Sequence, residues 1–222
     1  MKIYETKVEA GTKQWLKIPV DEECSLKAAA FCGSRPGKRL IVTAGVHGCE
    51  YIGILAVSRL IQELDPRQMK GEVVFLPIAN EGGFYKEIKQ LVPEDGVNLN
   101  RAFPGTEMGS RSAKIAAAVE TYLYPDADFL VDLHSGDIHE MVVPFAFFPV
   151  AAGETVEKKA AAAARAMSLS WRVASTAKNG LYSWAAQKGI PALLLERGGL
   201  GRWISGVDAL RGHTRSHPEH DG

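Results

Sequence analysis

The chain is short of cysteine and has no long apolar run, and each shortage removes a class of protein. Cys24, Cys32 and Cys49 are an odd and sparse set, unlike the disulfide framework of a small secreted domain. No Cys-x-x-Cys pair occurs, which argues against a structural zinc ribbon. No stretch approaches the roughly 20 apolar residues of a membrane-spanning helix. The longest, such as Met141 to Phe148, are strand-sized. The N-terminal stretch has no apolar core of signal-peptide length behind a basic start. Excess charge is lacking too: Lys plus Arg and Asp plus Glu both number 26. That balance gives no electrostatic reason to expect nucleic acid or an anionic membrane as partner. The expectation is a reduced, cytoplasmic globular chain whose 222 residues suffice for one substantial domain.

What is present alternates between short and long apolar periods, as an α/β protein requires. Leu40 to Ala44 is a β-branched run ending at Gly45 and reads as a buried strand. Glu50 to Leu64 has helical spacing and stops before Pro66. Glu72 to Ile78, Asp128 to Leu133, Met141 to Val150 and Ile190 to Leu195 read as further strands. Helices are expected over Ser112–Tyr124, Thr155–Met167 and Leu181–Lys188. Asn80 to Gly109, rich in Gly, Pro and polar residues, reads as a long irregular segment, a type that is usually functional or disordered. The predicted architecture is a mixed, largely parallel central sheet with helices on both faces. From about Ile204 to Gly222 no period is visible, and His213, His217 and His220 crowd in among Gly and Pro. This reads as an irregular tail after a domain over residues 1–203.

Active sites in such sheets lie at the carboxyl ends of strands. Three metal-capable or charged groups fall at such points: His47 with Glu50, His134, and Glu196. His47 and Glu50 are three apart, so on a helical turn they share a face and can reach one cation. A neutral imidazole and a carboxylate suit zinc, and a third ligand from a distant strand would leave one position open for water. His-x-x-Glu alone is also an ordinary hydrogen-bonded pair at a strand end. His134 has the alternative of a histidine satisfied by Asp132 or Asp137; either carboxylate would equally fix the tautomer of a metal ligand. Glu196 follows a buried strand, where a carboxylate can act as a general base, or it pairs with Arg197 at the surface. Arg101, flanked by Asn98 and Asn100, can grip a carboxylate by two parallel hydrogen bonds or be a plain loop arginine.

Taken in order, four motifs resemble one known pattern: Gly45-Val46-His47-Gly48-Cys49-Glu50, Asn98-Leu99-Asn100-Arg101-Ala102-Phe103-Pro104-Gly105, Asp132-Leu133-His134-Ser135-Gly136 and Glu196-Arg197-Gly198-Gly199. The chain resembles the succinylglutamate desuccinylase/aspartoacylase family of zinc carboxypeptidase-like hydrolases over about Arg39 to Trp203. The resemblance implies one zinc held by His47, Glu50 and His134, with Asp132 behind His134. It implies that Glu196 activates the water and that Arg101, with Asn100 beside it, binds a substrate carboxylate. The implied reaction is hydrolysis of an N-acyl amino acid or a similar small carboxylate-bearing substrate. A carboxypeptidase-like peptidase and a catalytically impaired metal-binding domain remain as alternatives.

Two departures from the family pattern stand out. Many members carry a second arginine upstream of Asn-x-Asn-Arg, where this chain has Lys86 and Lys89. A lysine there would act as a point charge without the guanidinium fork. Members also continue into a C-terminal β-rich domain, so the stretch after Trp203 reads as a truncation. Apolar surface left exposed by a missing partner favours association, and a homo-oligomer is among the expected states.

Overall fold

The computed structural model describes residues 1–201. The stretch 204–222, expected as an irregular tail, and the domain end at Trp203 lie outside the described residues. The strands are β1 (Lys2–Ile3), β2 (Thr6–Lys7), β3 (Thr12–Pro19), β4 (Ser25–Cys32), β5 (Arg35–Ala44) and β6 (Lys70–Leu76). They continue as β7 (Leu91–Val92), β8 (Val97–Asn98), β9 (Phe129–His134), β10 (Met141–Pro149), β11 (Trp171–Ser175) and β12 (Ala192–Gly199). The helices are α1 (Tyr51–Glu63), α2 (Glu81–Tyr85), α3 (Arg111–Tyr122), α4 (Glu154–Ala166) and α5 (Leu181–Gln187).

Eight strands form the central sheet in the order β11-β10-β12-β9-β5-β6-β4-β3, as expected of a mixed, largely parallel α/β fold. Pairings β10–β11, β12–β9, β9–β5 and β5–β6 are parallel. The other three pairings are antiparallel. Alternation along the strands loads both faces. On one face Ile41, Val74, Leu130 and Leu194 pack with α3 and α5 through Ile115, Val119, Leu181 and Ala185. On the other, Phe31, Val42 and Phe75 meet Ile54, Val57 and Ile61 of α1. Leu193 and Ala146 meet Ala160 and Ala164 of α4 on that same face. Covering on both sides is why the central strands are nearly all apolar in sequence.

Three expectations change. The segment 80–109 is not irregular throughout: it holds α2, the β7–β8 hairpin and a 3₁₀ turn over Leu99–Arg101. Asn80 organises its start by accepting the Gly83 N–H at 2.9 Å and donating to the Leu91 carbonyl at 3.1 Å. The last strand does not stop before Glu196 but runs to Gly199, because β9 and β10 pair with it on either side. Finally, β3, β4 and β11, for which the sequence carried no expectation, complete the sheet at its two margins.

Candidate metal centre

Three neighbouring parallel strands, β12, β9 and β5, bring the chemistry-bearing residues to one end of the sheet. After β5, Gly45 adopts φ +62° and turns the chain into the loop that carries His47 and Glu50. The spacing of three works here, though not through a helix. Glu50 is the residue before α1, and its N–H meets the His47 carbonyl at 3.3 Å across a tight turn. Cys49, between them, is buried, as its small apolar character suggests. From the end of β9, His134 reaches the same point.

The Glu50 carboxylate joins the two imidazoles. Its Oε1 lies 2.6 Å from His47 Nδ1 and its Oε2 lies 2.8 Å from His134 Nδ1. The Ser135 N–H donates to Oε2 at 3.2 Å. Across the His134 ring, Nε2 donates to Asp132 Oδ2 at 2.9 Å, and Asp132 Oδ1 accepts from the Thr43 hydroxyl at 2.6 Å. His47 Nε2 meets Asn98 Oδ1 at 3.2 Å. Of the two carboxylates proposed for His134, Asp132 is the partner; Asp137 instead pairs with Lys89 at 2.7 Å.

Electrostatics favour a cation at this point. Burial would raise the Glu50 carboxyl, but the imidazoles of His134 and His47 outweigh it and hold it at about 2. Burial would lower His134, yet Asp132 and Glu50 prevail and raise it well above the ordinary histidine range. One buried candidate donor atom from each of His47, Glu50 and His134 lies within 4.8 Å of the others. Two imidazoles and a carboxylate converging in this way, with Asp132 hydrogen-bonded behind His134, fit a divalent cation.

Glu196 lies in register with His134 on the adjacent strand. Burial pushes its carboxyl up to about 7, with Glu50, Asp132 and Glu140 adding to the rise and His134 opposing it. It borders a cavity of about 470 Å³ shared with His134, Leu133, Leu195 and Ile52, and the exposed Arg197 lines the same cavity.

The Asn98–Arg101 segment reaches the centre through the Asn98–His47 contact. Asn100 is buried, and its Oδ1 accepts the Leu181 N–H at the start of α5, at 3.0 Å. Arg101 is exposed, with one guanidinium N–H donated to the Asn100 carbonyl at 2.7 Å. Lys86 pairs with Glu94 at 3.4 Å. Three further residues come into view only here: Thr43, Asn98 as a partner of His47, and Tyr182. The Tyr182 phenol is raised by burial and sits within electrostatic reach of both Asp132 and Arg101. Thr43 had a signal as the one polar residue of the run Leu40–Ala44; Tyr182 had no local signal.

Known proteins resemble this chain in sequence and fold. The N-alpha-acetyl-L-2,4-diaminobutyric acid deacetylase of Halomonas elongata is 35% identical over 137 residues, covering 60% of this chain and 40% of that protein. A solved succinylglutamate desuccinylase from Silicibacter sp. TM1040 superposes with a TM-score of 0.77 at 27% identity, over 90% of this chain and 64% of that one. The product-bound ectoine utilization protein EutE (DoeB) from Ruegeria pomeroyi gives 0.74 at 26% identity, over 90% and 62%. This chain therefore spans less than two thirds of each of these relatives. Residues 36–206 match the succinylglutamate desuccinylase/aspartoacylase catalytic domain, and the chain belongs to that family.

Proposed function

We propose that this chain is a zinc-dependent hydrolase that cleaves the amide bond of an N-acyl amino acid or a similar small carboxylate-bearing substrate. The observation that carries the reading is the convergence of His47, Glu50 and His134 on one point, with Glu196 in register beside them. Zinc held by these three residues would supply a Lewis acid for the carbonyl and make water more acidic. Glu196 takes the proton from the attacking water and passes it to the leaving amine. Its half-buried position suits that exchange, because desolvation raises its proton affinity toward neutrality. Arg101 binds the substrate carboxylate, and Asn100 supports it by holding the Leu99–Arg101 turn against α5. The deacetylase relative acts on an acetylated amino acid, which favours acylated amino acids over peptides as the first substrates to try.

The test measures metal content and chelator-reversible hydrolysis on one sample, with a panel of N-acyl amino acids beside short peptides. About one zinc per chain is expected, lost in His134→Ala. Glu196→Gln should keep the metal and lose about 10²–10⁴-fold in turnover. A wild-type chain that takes up no zinc after reconstitution would sink the proposal.

A further inference from the structure

Thr43 occupies a position where its hydroxyl needs a reason. It lies in β5 between Val42 and Ala44, in a strand covered on both faces, and it is fully buried. A buried hydroxyl costs free energy unless it is hydrogen-bonded, and valine would fill the same space without that cost. The register of β5 against β9 sets Thr43 directly beside Asp132. The hydroxyl donates to Asp132 Oδ1 at 2.6 Å, and Asp132 is itself fully buried. The other carboxylate oxygen, Oδ2, accepts from His134 Nε2 at 2.9 Å.

A carboxylate rotates broadly about its last torsion, so a single bond to the imidazole would leave its plane undefined. Thr43 is stiff at χ1, being β-branched, and sits on a neighbouring strand rather than on β9 itself. It therefore supplies a second fixed point from an independent element. With both oxygens engaged, Asp132 holds the proton on His134 Nε2, and the Nδ1 edge is the one turned toward Glu50 and His47.

We propose that Thr43 is a positioning residue for the metal centre: through Asp132 it fixes the orientation of the His134 ring and thereby the affinity of the site for its cation. This rests on the metal-hydrolase reading above. Partners that orient metal-bound histidines are typically worth about 10–100-fold in metal affinity, and Thr43, one bond further out, is expected at about 10-fold.

The experiment is zinc binding by chelator competition on the full chain, for wild type, Thr43→Val, Thr43→Ser and Asp132→Asn, and for Thr43→Val combined with Asp132→Asn. Thermal melting of each metal-free protein is recorded alongside. Thr43→Val should weaken zinc binding about 10-fold, and Thr43→Ser, which keeps the donor, should bind within about 2-fold of wild type. In the Asp132→Asn background, Thr43→Val should add almost nothing, because the pathway is already broken. The inference is overturned if Thr43→Val changes only the metal-free melting temperature and leaves zinc affinity intact. It is equally overturned if the loss persists in full in the Asp132→Asn background. Failure of the wild type itself to bind zinc would instead overturn the metal-hydrolase reading, and this inference with it.

Discussion

Alanine at position 100 should loosen the join between the Arg101 turn and α5. Asn100 Oδ1 accepts the Leu181 N–H at 3.0 Å, and that N–H belongs to the first turn of α5, where no intrahelical acceptor exists. Leu181 is fully buried, so the donor loses its partner away from bulk water. Leaving a buried N–H unsatisfied costs about 1–3 kcal/mol, and loss of a capping side chain typically about 1 kcal/mol. These figures describe the same bond and are not additive, so about 2 kcal/mol is expected. For a domain of this size that lowers the melting temperature by about 4–8 °C. Asn100→Asp keeps an acceptor in place, at a helix end that favours negative charge, and should lose less. Thermal unfolding by circular dichroism, with urea titration as a second measure, reads both variants. If Asn100→Ala melts within about 1 °C of wild type, or Asn100→Asp is destabilised as much, the bond does not hold the turn. Because Arg101 follows directly, the alanine variant should also raise KM for a carboxylate-bearing substrate more than it lowers kcat.

Other perturbations probe different links. Gly48→Ala would drive a methyl into the backbone of Gly83 and to 2.6 Å from the Ile88 carbonyl, forcing the loop that carries His47 and Glu50 to move. Destabilisation of about 1–3 kcal/mol with weakened zinc binding is expected, and an unchanged zinc affinity would show that the loop tolerates the shift. Asp21 pairs with Arg111 at 2.7 Å; burial opposes ionisation, but Arg111, the Glu23 and Cys24 N–H groups and Lys114 outweigh it and hold the carboxyl at about 2. Its folded pKa thus lies below the unfolded value of about 3.9, so its stabilisation is complete above about pH 4 and is lost as pH falls toward 2. That contribution is about 1–2 kcal/mol after solvent screening, and Asp21→Asn should flatten the acid limb of a pH-dependent urea titration. Identical acid limbs would refute it. If zinc binds the folded chain alone, saturation at about 100 times Kd should add about 2.7 kcal/mol, seen as a reversible rise in melting temperature that a chelator removes.

Local pattern was enough for β9, α1, α4 and the Leu40–Ala44 half of β5, because each is defined by its own apolar period and by the breakers at its ends, whereas Arg35–Arg39 of β5 carried no such signal. Gly45 and Pro66 bound β5 and α1 in sequence as they do in space. The segment 80–109 was illegible for the opposite reason. Its short elements are held by bonds to one another, such as Asn80 to the Leu91 carbonyl, which no period announces. The edge strand β11, exposed along most of its length, has no apolar signature either; pairing with β10 places it.

At the centre, residue type and position marked His47, Glu50, His134, Glu196 and Arg101 as candidates with ordinary alternatives, and the resemblance of four ordered motifs to a known family gave them their expected roles. The convergence of His47, Glu50 and His134, with Glu196 in register beside them, was a matter of tertiary structure: β5, β9 and β12 are distant in sequence and become neighbours through crossovers that the sequence does not spell out. Residue type likewise named the carboxylates around His134 but could not choose between Asp132 and Asp137. Strand alternation makes that choice, since Asp132 lies two residues before His134 on the same face of β9, while Asp137 is drawn off to Lys89. The bond from Thr43 to Asp132 spans 89 residues and exists because the register of two parallel strands sets them side by side. Chemistry was written along the chain; which groups share a proton or a cation was decided by strand order and register, because hydrogen bonds and coordination act over about 3 Å whatever the distance in sequence.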